Sequence, residues 1–230
     1  MALVGSGEYL PVMAGMEAAL LKGRPPRYVQ VPTAAGQEGP ASVGRWVQLG
    51  AEQARRLGVE PVPVPALDRA AAEDPALAAL VEGAGLVYLS GGSPAYLAET
   101  LRDTRVWAAI VAAWQAGAAL AGCSAGAMAL GEWMADIRAP GSSPRPGLGV
   151  VPGLLVIPHF DRFRRWTGSS PEAAAAGLPE GLVLVGIDEE TAMVSDGLDL
   201  RRWVVEGRQA VWLFGADGGS AHQAGAEIVL

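Results

Sequence analysis

The chain has 230 residues, half of them hydrophobic and only 18% charged, which excludes a disordered chain or a coiled coil and fits one α/β domain over residues 1–230. A formal net charge of −7, with no dominant basic stretch, argues against nucleic acid as a partner. One cysteine and two histidines argue against an internal disulfide framework and a dedicated His/Cys metal site, so we expect no metal and no other cofactor.

Short apolar segments alternate with helical segments along the first 130 residues, and this alternation predicts a mostly parallel sheet with helices on both faces. The predicted strands of this part are Ala2–Val4, Tyr28–Thr33, Val62–Pro65, Gly85–Ser90 and Ala118–Ala121. The predicted helices are Met13–Lys22, Ala41–Leu57, Pro75–Glu82, Ala95–Leu101 and Val106–Ala116. The prolines of the third strand predict that it lies at an edge of the sheet.

The part of the chain after residue 130 is predicted to consist mainly of strands, which favours an antiparallel C-terminal extension of the central sheet. These strands are Leu154–Ile157, Leu182–Ile187, Ala192–Ser195, Arg202–Val205 and Ala210–Phe214. The segment Ala139–Gly147 is rich in proline and glycine, and we expect it to form a mobile loop near the functional site.

The segment Gly122–Gly126 contains the pattern Gly-x-Ser-x-Gly, with Ser124 at its centre. A buried strand precedes it and helix-forming residues follow it. This is the setting of a nucleophile elbow, whose turn is so tight that the flanking positions need glycine. We therefore predict that Ser124 is a catalytic nucleophile. Cys123 is the rival, but it lies off the central position, and we expect it to point into the core as a small hydrophobe.

A serine nucleophile needs a general base, which is normally a histidine. His159 directly follows an apolar strand, where a side chain is held at the edge of a sheet. His222 lies in a glycine-rich, turn-like stretch near the C-terminus. We predict that His159 is the base and keep His222 as the alternative.

The base in turn needs an acidic residue that fixes its tautomer. Three consecutive acids, Asp188, Glu189 and Glu190, follow an apolar strand, and the pattern by itself does not choose among them. Asp136, which comes soon after the elbow, is a further candidate.

The oxyanion hole of such a site needs two N–H donors. The amide of Ala125, directly after the nucleophile, can supply one. The second is expected from a neighbouring loop, for which Gly91 and Gly92 are well suited because glycine lets the backbone approach a substrate closely.

Taken together, these residues resemble the S51 serine peptidases, a family that includes dipeptidase E and cyanophycinase. The resemblance covers most of the chain, from the loop at Val4–Glu8 to about Val205. Its landmarks are Val31–Ala34, Leu89–Pro94, Gly122–Ala127, Pro158–Phe160 and Gly186–Ala192. The resemblance implies a class I glutamine amidotransferase-like (flavodoxin-like) fold and a Ser–His–acid triad without a metal, which cleaves a peptide bond in a small peptide through an acyl-enzyme.

The resemblance also implies roles for single residues. Ser124 corresponds to the nucleophile and His159 to the base, and the amides of Gly92 and Ala125 correspond to the oxyanion hole. Gly186–Ala192 follows the cyanophycinase pattern, in which the first glutamate after the aspartate completes the triad.

That pattern favours Glu189 as the acid, with Asp136 as the alternative because the dipeptidase branch draws an aspartate from soon after the elbow. Three features depart from the family. The arginines after the histidine, Arg162, Arg164 and Arg165, are only loosely in register with those of the family. Cys123 stands where the family usually has threonine, and Ile157 and Pro158 stand where cyanophycinases have Asp-Gln. The substrate therefore stays open.

Four arginines are candidates for binding an acidic substrate, because the planar guanidinium can bind both oxygens of a carboxylate. Arg162, Arg164 and Arg165 follow the predicted base, and Arg138 follows the elbow helix. A solvated basic turn is the competing interpretation.

The expected partner is a small peptide or amide substrate. The sequence does not decide whether the protein forms a homodimer. There are two alternative functions: an amidase that acts on a non-peptide amide, and a non-catalytic relative that only binds a ligand. We expect a cytoplasmic protein, because no apolar run reaches the roughly 18–20 residues that span a bilayer and the N-terminus has no secretory signal.

Overall fold

The structure is a computed structural model that describes residues 1–136, 143–163, 170–176, 178–179, 181–195, 197–215 and 218–230. Its strands are β1 (Ala2–Val4), β2 (Arg27–Val31), β3 (Glu60–Pro63), β4 (Leu86–Leu89), β5 (Ala119–Cys123), β6 (Gly131–Met134), β7 (Arg145–Pro146), β8 (Val151–Pro158), β9 (Val183–Ile187), β10 (Thr191–Val194), β11 (Arg202–Gly207), β12 (Ala210–Gly215), β13 (Gly218–Gln223) and β14 (Glu227–Val229).

The helices are α1 (Ala14–Leu21), α2 (Pro40–Arg56), α3 (Arg69–Ala72), α4 (Pro75–Ala79), α5 (Pro94–Leu101), α6 (Arg105–Gln115), α7 (Ala125–Leu130) and α8 (Pro171–Ala176). Short 3₁₀ turns lie at Pro11–Met13, Thr33–Ala35 and Phe160–Arg162. In the described part of the chain, no helix combines the length and the apolar character needed to cross a membrane.

The central sheet has the strand order β14-β11-β10-β1-β5-β4-β2-β3. The strands β1, β5, β4, β2 and β3 are parallel, whereas β10, β11 and β14 pair antiparallel beside β1. The order β3-β2-β4-β5 corresponds to the first four strands of a flavodoxin-like sheet, and β1 takes the place of the fifth. The predicted fold class is confirmed, and β3 lies at the edge, as its prolines indicated.

Successive residues of β1 point to opposite faces of the central sheet, as the period of a strand requires. Leu3 belongs to the apolar core on one face, where α5 and α6 contribute Leu97 and Ile110. Val4 belongs to the core on the other face, where α1 contributes Leu20. The middle of the sheet is thus covered on both sides, which explains why β1, β4 and β5 are continuous buried runs rather than alternating ones.

A second sheet, with the order β13-β12-β9-β8-β6-β7, takes up three of the strands that were predicted to extend the central sheet. That prediction was wrong for Leu154–Ile157, Leu182–Ile187 and Ala210–Phe214, which correspond to β8, β9 and β12. Both faces of this sheet are apolar: Val156 packs into the main core, whereas Ile157 packs into a separate core. An apolar run with two buried faces does not reveal which sheet it joins.

The topology brings several loops to one edge of the molecule. The chain leaves β2 towards β3 but leaves β4 in the opposite direction towards β5, so a crevice opens at the carboxyl ends of β2 and β4. In the second sheet β8 and β9 are parallel neighbours, with Pro158 paired to Ile187. The residues that follow these two strands, His159 and Asp188, therefore start at the same edge.

Candidate active site

Ser124 lies at a sharp turn between β5 and α7, with φ 51° and ψ −109°. The turn is possible because its neighbours lack side chains. A Cβ on Gly122 would lie 2.5 Å from the carbonyl carbon of Gly126, and a Cβ on Gly126 would lie 2.3 Å from the carbonyl oxygen of Leu89. A strained strand–turn–helix of this kind holds the hydroxyl out at the end of the sheet, as in a nucleophile elbow.

His159 directly follows β8 and has a left-handed backbone, with φ 49° and ψ 42°. Its Nε2 lies 3.2 Å from Oγ of Ser124, which is within hydrogen-bond reach for a base and its nucleophile. His222 is elsewhere: it lies in β13 at the outer edge of the second sheet, with Nε2 2.9 Å from Oγ of Ser220. The structure therefore brings His159 to the serine.

Of the three consecutive acids, Glu189 contacts the histidine. Its Oε1 lies 2.9 Å from Nδ1 of His159. Asp188 turns inward and accepts hydrogen bonds from the Trp212 indole at 3.1 and 3.2 Å, and its burial raises the pKa of its carboxyl group. Glu190, at φ 54°, forms an ion pair with Arg208. The chain of contacts thus runs from the serine through the histidine to the middle acid.

Of the four arginines that were predicted to bind substrate, the structure describes only Arg162. Arg162 lies against Glu189, with Nη2 2.7 Å from Oε2. Arg138, Arg164 and Arg165 lie outside the described residues, as do positions 139–142 of the predicted mobile loop.

The two predicted oxyanion donors face one pocket together with the serine. Ala125 begins α7, and Gly92, at φ 137°, lies in the loop that follows β4. The N–H of Gly91 is directed elsewhere, because it donates to Oε1 of Glu8 at 3.0 Å. Among the two glycines, Gly92 is therefore the one whose position suits an oxyanion.

The pocket beside Ser124 has a volume of about 420 Å³, which is within the range of small-molecule sites. Gln37 and Glu38 lie in its wall, as do Asp136 and Arg145. Asp136, the alternative acid, thus belongs to the pocket wall, while Nδ1 of His159 contacts Glu189. Gln37, Glu38 and Arg145 were not predicted. For Gln37 and Glu38, only a position in the loop that follows β2 could have indicated them. Arg145 lies in β7, and its only signal was its place in the segment Ala139–Gly147, which was expected near the site.

Cys123 is fully buried, and its S–H donates to Oε2 of Glu8 at 2.8 Å. Burial and the adjacent Glu8 carboxylate raise the pKa of this thiol, which keeps it neutral and a poor nucleophile. Glu8 itself was not singled out from the sequence. A glutamate in a glycine-containing loop at the end of a buried strand was the available signal. In the described part of the chain, no group of three His, Cys, Asp or Glu side chains is arranged to hold a metal ion.

Comparison with known proteins shows which family this sequence matches. The model of peptidase family S51 matches residues 1–202. The cyanophycinases of Trichormus variabilis and Nostoc sp. PCC 7120 are each 31% identical over 179 residues, which cover 73% of this chain and 57% of those proteins. The chain therefore spans little more than half the length of these relatives.

Two solved structures are similar over almost the whole chain. A peptidase from an acI-B1 Actinobacterium is 40% identical, with a TM-score of 0.90, and the match covers 100% of this chain and 96% of that one. A peptidase E protein from Listeria monocytogenes EGD-e is 17% identical, with a TM-score of 0.59, and 96% of each chain is covered. The second match supports the fold alone.

Proposed function

The chain belongs to peptidase family S51, and from this membership and the geometry of the site we propose that it is a serine peptidase whose triad is Ser124, His159 and Glu189. The observation that carries the proposal is the continuous chain of contacts from Oγ of the serine, 3.2 Å to the histidine, and from the histidine 2.9 Å to the glutamate. Residues 1–230 act as one hydrolytic domain in this proposal.

The reaction follows from the positions of these groups. As Oγ of Ser124 attacks the substrate carbonyl, Nε2 of His159 takes its proton and later gives it to the leaving amine. Glu189 holds Nδ1–H, fixes the tautomer in which Nε2 is free to accept, and stabilises the imidazolium. Water then attacks the acyl-enzyme with the same histidine as base, and the serine is regenerated.

The negative charge of each tetrahedral intermediate needs donors that are fixed before the reaction. Ala125 offers an amide at the start of α7, and Gly92 offers one from the neighbouring loop, both lining the pocket that contains Ser124. These two amides are the proposed oxyanion hole.

We propose a small peptide as the substrate, for two reasons. A volume of about 420 Å³ suits a ligand of a few residues. The wall carries both signs of charge, with Glu38 and Asp136 on one hand and Arg145 on the other, which suits a substrate with a free amine and a carboxylate. The 40% identity to an actinobacterial peptidase supports peptide-bond cleavage.

The decisive experiment has two parts. A fluorophosphonate probe, followed by mass mapping, should label Ser124 in the wild-type protein and leave the Ser124→Ala variant unlabelled. A library of dipeptides and simple amides then identifies the bond that is cleaved. Absence of labelling would contradict a catalytic serine, and cleavage of non-peptide amides without cleavage of peptides would favour an amidase.

A further inference from the structure

Glu8 lies in the loop that follows β1, and its carboxylate joins two segments of the site. Oε1 accepts the N–H of Gly91 at 3.0 Å, and Oε2 accepts the S–H of Cys123 at 2.8 Å. Gly91 directly precedes Gly92, and Cys123 directly precedes Ser124. A single half-buried side chain therefore connects the loop of one oxyanion donor to the nucleophile elbow.

These groups are packed against one another. A Cβ on Gly91 would lie 2.8 Å from Oε1 of Glu8 and 3.6 Å from Cβ of Ser124. The glutamate and the serine side chain thus both lie close to the glycine loop. A Cβ at position 91 would be too close to Oε1 of Glu8, so a larger residue there would push the carboxylate from its present position.

The loop that carries Glu8 is itself fixed to the segment of the proposed triad acid. The N–H of Gly5 donates to the carbonyl of Thr191 at 2.9 Å, and Oγ of Ser6 accepts the N–H of Glu190 at 3.3 Å. Residues 5–8 therefore contact the elbow, the glycine loop and the acid segment.

A glycine pair has more backbone freedom than any other dipeptide, so Gly91 and Gly92 need an external constraint to present an amide at one place. A hydrogen bond to a carboxylate is roughly twice as strong as one between neutral groups, and two acceptor oxygens can hold two donors at a fixed separation. The hydrogen bonds that Glu8 accepts from Gly91 and Cys123 supply that constraint.

We propose that Glu8 is a positioning residue for the peptidase reaction, holding the Gly91–Gly92 loop and the Cys123–Ser124 elbow at the separation that a two-donor oxyanion hole requires. The inference rests on the proposed function. It also gives Cys123 a role as a neutral donor to Glu8. Threonine, which carries a hydroxyl donor on the same β-carbon, would serve Glu8 in the same way at this position.

The test measures how fast a fluorophosphonate labels Ser124 in the full chain, which requires no knowledge of the substrate. Misplacement of an oxyanion donor costs about 10- to 100-fold in rate, so Glu8→Ala should label that much more slowly. Glu8→Gln should stay within about threefold of the wild type, because its amide oxygen still accepts from Gly91. The loss should fall on the maximal labelling rate and not on the probe concentration for half-saturation.

Glu132 offers a matched control. It is another half-buried glutamate that accepts one backbone N–H, from Gly153 at 2.7 Å, and one side-chain N–H, from Trp133 at 3.1 Å. Glu132→Ala removes equivalent hydrogen bonds away from the glycine loop, so its labelling rate should match the wild type. Thermal unfolding of each variant checks the fold, and Glu8→Asp, too short to reach both donors, replaces Glu8→Ala if that variant does not fold.

A folded Glu8→Ala variant that labels at the wild-type rate would overturn the inference and leave the proposed function intact. An equal loss in Glu132→Ala would also overturn it, because the effect would then be general. A wild-type protein that is not labelled at all would overturn the proposed function, and this inference with it.

Discussion

Nη2 of Arg162 lies 2.7 Å from Oε2 of Glu189, and Oε1 of the same carboxylate lies 2.9 Å from Nδ1 of His159. Each oxygen of the acid thus has its own cationic or N–H partner. The backbone N–H of Glu189 in addition donates to Oδ1 of Asp161 at 3.0 Å. The carboxylate is therefore held at two points and the backbone of the same residue at a third, so the carboxylate cannot rotate away from the histidine without breaking the contact with the arginine.

Replacing Arg162 by alanine should lower kcat and leave KM unchanged, because the arginine acts on the acid. The guanidinium is half exposed, and an exposed ion pair is worth up to about 1 kcal/mol, which corresponds to about fivefold. Arg208→Ala, which removes the equally short ion pair to Glu190, is the control and should leave kcat intact. A 10- to 100-fold rise in KM for acidic peptides alone would instead show that Arg162 binds substrate.

Ser124→Ala should lose most of the hydrolytic activity, because removing the nucleophile of a triad typically costs on the order of 10³-fold or more in kcat. Cys123→Ala should keep activity within about tenfold, since it removes only a weak S–H donor to Glu8. Steady-state hydrolysis of the best library substrate provides the measurement. Loss of activity in Cys123→Ala together with retention in Ser124→Ala would reverse the assignment of the nucleophile.

Glu189→Gln should reduce kcat by on the order of 10³–10⁴-fold, because an amide in this position favours the wrong tautomer of His159. Asp136→Asn should have a smaller effect, since Asp136 lies in the pocket wall. Glu190→Gln is the matched control from the same turn. If Asp136→Asn were the more damaging change, Asp136 would be the triad acid and the proposed assignment would fail.

The burial of Glu17 predicts that the stability of the protein depends on pH. It is fully buried on α1, where its Oε2 accepts hydrogen bonds from the Tyr28 hydroxyl at 3.1 Å and from Nε2 of Gln53 at 3.0 Å. Burial raises the pKa of Glu17 from 4.5 to about 7. Between these two values the folded protein keeps a proton that the unfolded chain has released.

The free energy of unfolding should therefore fall as the pH rises from about 4.5 to about 7, and this contribution should be constant above that window. A shift of this size corresponds to about 3 kcal/mol. Glu17→Gln should remove the dependence, because glutamine does not titrate. Urea unfolding at pH 5, 6, 7 and 8 measures the free energy of unfolding. If this free energy changed with pH equally in the variant and the wild type, Glu17 would not be the group responsible.

The elbow and the histidine could be predicted from sequence because each depends on local signals. The glycines around Ser124 are required by a tight turn, and His159 directly follows a buried strand. The acid was different, because Asp188, Glu189 and Glu190 are equivalent as a pattern. Their directions are set by the turn between β9 and β10 and by partners that lie distant in the sequence, such as Trp212 and Arg208.

The parallel part of the central sheet could likewise be predicted, because alternation of strand and helix specifies it. The existence of a second, separate sheet could not be predicted. The strands β6 and β7 are short, and β13 is rich in glycine and largely exposed, so they carry no apolar pattern. Glu8 was missed for a related reason: its partners, Gly91 and Cys123, are more than eighty residues away and meet it only after folding.

The position of β1 between β5 and β10 has a consequence for biosynthesis. Ala2 pairs with Ala121 on one side and with Val194 on the other, so β1 can gain its second neighbour only after the chain has been made past residue 194. Such long-range pairings slow folding. Ser124 is synthesised well before Glu189, and Glu8 gains its second partner, Cys123, only when β5 has been made. In the proposed assignment, a nascent chain therefore carries Ser124 before it has Glu189, and hydrolysis by the proposed triad has to await the synthesis of β9 and the residues that follow it.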